Sequence, residues 1–317
     1  MTRTSTRWAI GPAVAALALS LAACGGQANG DADGASGSVK VDGSSTVYPL
    51  SNAAAELLLD ENGDIDVTVG EAGTGGGFEV FCQGKTDVSD ASRPIKEDEE
   101  APVCADAGIE YTELHVATDA LTVVVNKDVP VDCLTTDQLK KLWEPAAEGK
   151  ITKWSQLDPS FPDEEITLFG PGSDSGTFDY FTDEINGEEG ASRTDYESSE
   201  DDNTIVQGVA GTEGALGYFG YTYYEENAGD LKALEIDSGS GCVAPSAETA
   251  QDGSYAPLAR PLFIYVNNKS YTDEPAVTEF TDYYIANLAD IAAGAGFIPL
   301  NETDYAATQD ALAGISE

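Results

Sequence analysis

Three short segments set glycine and hydroxyl side chains directly ahead of a helical pattern, a combination suited to holding a small anion. They are Gly43-Ser44-Ser45-Thr46, Gly73-Thr74-Gly75-Gly76-Gly77 and Gly170-Pro171-Gly172-Ser173-Asp174-Ser175-Gly176-Thr177. The first N–H groups of a helix lack intrahelical acceptors and together carry roughly half a positive charge, so an oxyanion can bind there without a cation. Glycine lets the anion approach, and Ser and Thr hydroxyls add donors. Any one such loop is more often just a helix N-cap; three in one chain favour a ligand.

The same residues argue against several kinds of enzyme. Asp174-Ser175-Gly176 has the look of a serine nucleophile, but a triad needs a histidine base, and the single histidine, His115, sits in a strand-like run at 113–116. The glycines at 73–77 lack the Lys-Ser/Thr of a P-loop and the spacing of a dinucleotide loop. Asp60-Glu61-Asn62-Gly63-Asp64-Ile65-Asp66, with Glu71 twelfth, imitates a calcium loop, yet isoleucine stands where that loop needs glycine. No catalytic residue, metal or cofactor is expected.

Each loop must be positioned by a strand before it and a helix after it. Residues 39–41 read as a short strand, and Val47, Leu50, Ala54, Leu57 and Leu58 as the buried stripe of a helix whose first turn holds Pro49. The unit returns at 65–69, with Phe78, Phe81 and Cys82 on one face of the next helix. It returns again at 166–169, followed by Phe178, Phe181 and Ile185. Three strand–loop–helix units imply a mostly parallel α/β architecture.

The chain has 317 residues, 41% of them apolar, with 57 Asp plus Glu against 15 Lys plus Arg. It is too apolar and too long for a disordered acidic tail, and long enough to divide into two lobes. A formal charge of −42 excludes a generic surface for nucleic acid or anionic lipid, which needs clustered cations. The acidic runs at 97–100 and 197–202 read as solvated faces.

Residues 1–23 read as a signal peptide: Arg3 and Arg7 precede an apolar stretch at 9–23. Leu21-Ala22-Ala23-Cys24 resembles the bacterial lipobox, which implies cleavage before Cys24 and its lipidation, with 24–37 as the lipidated cysteine and flexible tether. No later apolar run reaches the ~20 residues of a membrane span, so only the lipid would reach the membrane. Export makes Cys82, Cys104, Cys133 and Cys242 candidates for two disulfides; three pairings are possible, and Cys82–Cys104 with Cys133–Cys242 is favoured.

Longer stretches carry a family resemblance. Asp42-Gly43-Ser44-Ser45-Thr46-Val47-Tyr48-Pro49-Leu50, Gly73-Thr74-Gly75-Gly76-Gly77-Phe78, Asp87-Val88-Ser89-Asp90-Ala91-Ser92-Arg93-Pro94-Ile95 and the loop at 170–178 are similar to the phosphate-binding component of Pst-type ABC importers. The stretches at 149–154, 199–203 and 214–221 follow in the family's order. The resemblance implies an α/β, two-lobed periplasmic-binding-protein fold (type II-like), with the ligand cleft between lobes joined by two crossing strands. The crossings would fall near 118–123 and 260–264, giving lobe one as 38–119 plus 262–317 and lobe two as 120–261. It also implies an extracytoplasmic, lipid-anchored receptor on the outer face of the cytoplasmic membrane that gives inorganic phosphate to permease subunits served by a separate ATPase. Receptors of this kind are usually monomers.

Carried onto this chain, the phosphate contacts would be Ser44, Ser45, Thr46 and Val47, then Thr74 and Gly75, then Ser175, Gly176 and Thr177. Two positions depart from the better-known pattern. Ser92 stands where many relatives have an aspartate that accepts the ligand's proton, and Pro171 where they have an arginine. Arg93 could supply the cation, or form a salt bridge; Asp90, Asp174 or Asp201 could take the proton. Losing the aspartate weakens the case for discrimination against sulfate, so sulfate or molybdate remains an alternative ligand, and a secreted serine hydrolase using Ser175 a more distant one.

Overall fold

The computed structural model describes residues 35–173 and 175–316. The signal peptide, Cys24, most of the tether and Asp174 lie outside the described residues. In chain order come β1 (Gly37–Gly43), α1 (Tyr48–Glu61), β2 (Ile65–Val69), α2 (Thr74–Phe81), β3 (Val88–Ala91), α3 (Ala101–Ala107) and a long strand, β4 (Tyr111–Asn126). Next are β5 (Cys133–Thr135), α4 (Thr136–Trp143), α5 (Trp154–Leu157), β6 (Thr167–Pro171), α6 (Gly176–Phe181), β7 (Glu197–Ser199), α7 (Asp202–Gly211) and β8 (Ala215–Gly220). Then come α8 (Tyr221–Asn227), β9 (Leu231–Ala233), β10 (Glu235–Asp237), β11 (Cys242–Val243), α9 (Ala247–Gln251) and β12 (Ala259–Asn267). The chain closes with α10 (Asn268–Asp273), α11 (Pro275–Ala286), α12 (Leu288–Gly294) and α13 (Glu302–Ala313).

The main sheet runs β2-β1-β3-β12-β4-β8-β6-β7, with β9 also on β4. Its flanks, β2-β1-β3 and β8-β6-β7, are parallel, as strand–loop–helix units require. Its middle is antiparallel, because β4 leaves the first lobe and β12 returns to it. Along β4 the partner changes: Tyr111 to Ala120 pair with β12, and Leu121 to Val125 pair with β8. Leu121, Val123, Val124 and Val125 are fully buried, and so is Thr122 between them, so this stretch is covered on both faces.

Two main apolar cores flank that change of partner. One joins β1, α1, β3 and the first part of β4 to β12, α11 and α12 through Leu50, Leu58, Ile264, Phe280 and Tyr284. The other is built between Leu121 and Leu258 around Trp143, Trp154, Phe181 and Tyr218. Each is the core of one lobe. In α1 the buried ridge is Leu50, Ser51, Ala54 and Leu58, which turns Leu57 to the rim, 42% exposed, contrary to the expected stripe. Ser51 takes the inward place because its hydroxyl donates to Asp90 at 2.7 Å. The disulfides are the favoured pairs, Cys82–Cys104 and Cys133–Cys242.

Candidate functional site

The first loop is tied down from beneath. Gly43 has φ +144°, and a Cβ there would fall 2.2 Å from the Asp90 carbonyl oxygen, so only glycine lets β1 turn this tightly over β3. The Ser44 N–H donates to that carbonyl at 2.9 Å, and the Ser44 carbonyl accepts from Val47 and Tyr48. Among the described residues, the Ser45 and Thr46 N–H groups have no acceptor, which leaves two backbone donors at the start of α1.

The second loop packs on the first. The Gly73 N–H donates to the Gly43 carbonyl at 2.8 Å. A Cβ on Gly77 would come 2.5 Å from the Gly43 Cα, so the glycine run lets α2 lie against the Ser44 loop. Thr74 opens α2, and its hydroxyl meets the Ser92 hydroxyl at 3.1 Å while accepting the Ser92 N–H at 3.2 Å.

The third loop belongs to the other lobe. Ser175 caps α6, its hydroxyl accepting the Thr177 N–H at 3.2 Å. Gly176 approaches the first loop so closely that a Cβ there would lie 3.2 Å from the Thr46 hydroxyl. The three loops thus converge on one cleft of about 530 Å³.

Of the expected residues, Ser44, Ser45, Thr46, Thr74, Gly75, Ser92, Arg93 and Gly176 line this cleft. Val47 does not: it is fully buried as the residue preceding α1. Ser175 and Thr177 flank Gly176 outside the lining. Asp90 is fully buried beneath the first loop against Ser51, and Asp201 caps α7 by accepting the Asn203 N–H at 3.0 Å. Neither lines the cleft. His115 bonds through Nε2 to the Ala117 carbonyl oxygen, and its ring lies 5.4 Å from that of Phe263 at a tilt of 39°.

Arg93 borders the cleft with its charge already engaged. Its Nη1 and Nη2 each donate to Glu100 at 2.8 Å, and Nη1 also donates to the Pro94 carbonyl at 3.0 Å. Burial works against the Glu100 carboxylate, but the bonds from Arg93 and the Lys96 N–H hold it below the usual range.

Sequence reasoning missed two groups. Arg260 of β12 lines the back of the cleft, donating from Nη2 to the Thr46 hydroxyl at 2.9 Å and from Nε to Asp119 at 3.2 Å. Its guanidinium lies 3.7 Å from the centre of the Tyr180 ring. The available signal was a cation within the second crossing. The other group is acidic: Asp179, Asp183, Glu184 and Glu189 line the lobe-two wall. Burial, then Glu189, pushes Asp179 up; burial, then Asp183, does the same to Glu184. Asp179 lies three residues beyond Gly176, one turn on in α6, and that spacing could have found it.

The sequence profile of the PBP superfamily domain matches residues 29–287. Protein SphX of Synechocystis is 50% identical over 269 residues, covering 84% of this chain and 80% of its own. The phosphate-binding protein PstS of Staphylococcus saprophyticus is 41% identical over 309 residues, covering 96% and 94%. The crystal structure of a possible phosphate binding protein from Planctomyces limnophilus superposes with a TM-score of 0.84 at 41% identity, over 89% of this chain and all of that one. With this architecture and these matches, the chain belongs to the PBP superfamily.

Proposed function

We propose that this protein captures inorganic phosphate outside the cytoplasmic membrane and hands it to the permease of an ABC importer whose ATPase is a separate subunit. The observation that carries the reading is the convergence of the Ser44-Ser45-Thr46, Thr74-Gly75 and Gly176 loops, two from one lobe and one from the other, on a single cleft. The N–H groups of Ser45 and Thr46 and the hydroxyls of Ser44, Thr46, Thr74 and Ser92 would bond phosphate oxygens from lobe one. Ser175, Gly176 and Thr177 would do so from lobe two. Arg93 stands at the edge of this set. Relatives named phosphate-binding proteins support the choice of anion.

In this reading the lobes are 38–119 plus 262–317 and 120–261, hinged where β4 and β12 cross. Phosphate stabilises the form in which both half-sites reach it, and the permease recognises that form. No covalent step is involved. The chain is held by lipid on Cys24 and works as a monomer. Its negative charge opposes anion approach at long range, so affinity must come from dense, desolvated hydrogen bonding that salt weakens little. A receptor for sulfate or molybdate is the second reading, favoured by the absence of a carboxylate at Ser92; in the phosphate reading, with Asp90 and Asp201 outside the lining, the carboxylates the cleft offers as proton acceptor among the described residues are those of the lobe-two wall.

Calorimetric titration of residues 25–317, stripped of anion, with phosphate and then sulfate from pH 6 to 9 tests this. Tight phosphate binding without a sulfate response is expected. Comparable binding of both would reduce the ligand to a general oxyanion, and binding of neither would remove the function proposed.

A further inference from the structure

We infer that Arg260 is the cation that holds the bound anion, and that it does so from the strand joining the two lobes; this rests on the phosphate reading above. The cleft has two arginines and a wall of four carboxylates, Asp179, Asp183, Glu184 and Glu189. In so acidic a cleft a dianion gains most from a cation that still has unused donors facing it. Arg93 is the less available of the two, since Glu100 takes a hydrogen from each of its terminal nitrogens in a bidentate pair and the Pro94 carbonyl takes the second hydrogen of Nη1. Arg260 uses only Nε, to Asp119, and one hydrogen of Nη2, to the Thr46 hydroxyl. Among the described residues, its Nη1 group and second Nη2 hydrogen have no acceptor, and they belong to a side chain that lines the cleft and is 18% exposed.

Asp119 and Tyr180 fix the guanidinium from both lobes. Asp119, buried and 11% exposed, holds Nε from β4, while the Tyr180 ring of α6 covers one face of the plane. The bond to Thr46 matters for the ligand as well. Because the Thr46 oxygen accepts from Arg260, its own hydrogen is free to be donated to an anion beside the Ser45 and Thr46 N–H groups. An oxyanion at the first loop would therefore be bonded by Thr46 and by the arginine that orients it. Arg260 also contacts one lobe through Thr46 and the other through Tyr180, so the same group that binds the anion couples it to the lobe junction.

The test uses the mature chain with inorganic phosphate as the probe. Arg260→Met should raise Kd by about 30-fold or more, the scale of losing charge-assisted bonds to an ion. Arg260→Lys, a point charge unable to serve Asp119, Thr46 and ligand together, should fall between. Arg93→Met should weaken binding less than Arg260→Met. In the wild type, phosphate should protect Arg260 from modification by phenylglyoxal, read by peptide mass, which decides the matter even if the methionine variant fails to fold. Unchanged affinity in the folded variants, or equal labelling of Arg260 with and without phosphate, would overturn the inference. A wild type that binds no phosphate would instead overturn the functional reading on which it rests.

Discussion

The hydroxyl oxygens of Thr74 and Ser92 lie 3.1 Å apart, and the Ser92 N–H donates to the same Thr74 oxygen at 3.2 Å, so these residues form one polar corner of the cleft. Ser92→Asp places a carboxylate in that corner. Phosphate retains a proton to donate to it near neutral pH, whereas sulfate has none and is repelled. Sulfate affinity should fall at least tenfold relative to phosphate, about 1.4 kcal/mol of discrimination. Titrating the variant with both anions checks this, and equal weakening of the two would contradict it.

Ser175→Ala separates binding from hydrolysis. The change removes the cap on α6, where Ser175 accepts the Thr177 N–H at 3.2 Å, and should cost about 1 kcal/mol of stability. Phosphate affinity should drop with it. Neither wild type nor variant should release product from p-nitrophenyl phosphate, and wild-type turnover abolished by the substitution would favour a hydrolase.

Asp90 makes stability depend on pH. Its carboxyl is fully buried; one oxygen accepts from Ser51 and the other has no partner among the described residues. Burial pushes its pKa from 3.8 to about 8; the Ser51 bond opposes this and Asp42 adds to it. The folded-state pKa lies above the unfolded one, so the native state binds the proton more tightly. The stabilisation is complete below pH 3.8 and is lost as pH rises to about 8. Melting temperatures of wild type and Asp90→Asn between pH 4 and 8 should show the wild type losing more stability over that range. Parallel curves would refute the assignment.

The disulfide Cys133–Cys242 ties β5 to β11 across 109 residues. Replacing both cysteines with serine frees a long loop in the unfolded chain and should cost roughly 4 kcal/mol. Neither cysteine lines the cleft, so phosphate affinity of the folded variant should be unchanged. Denaturant unfolding and titration measure the two effects separately.

What could be read in advance was local. The strand–loop–helix units around Ser44, Thr74 and Gly176 follow from periodicities and glycines within twenty residues of one another. The Arg260–Asp119 pair joins residues 141 apart, brought together by the antiparallel register of β4 and β12, and no local pattern announces that pairing. Leu57 was misjudged because apolar spacing alone does not say that Ser51 would occupy the core beside Asp90. The antiparallel middle of the sheet was hidden for a similar reason. A strand buried on both faces, as β4 is from Leu121 to Val125, has no alternation to reveal which partner it will take.

The change of partner along β4 also sets an order of assembly. Its residues Tyr111 to Ala120 pair with β12, and Thr118 also with Ile298, both of which the ribosome delivers after every strand of the second lobe. Leu121 to Val125, by contrast, pair with β8 and β9, which are synthesised sooner. On a growing chain the second lobe can close from a contiguous stretch, while the first waits with β3 unpaired on one side and its central strand missing. The N-terminal lobe, made first, is finished last, and until Ala259–Asn267 emerges its open edge is the part of the nascent protein most in need of protection from other strands.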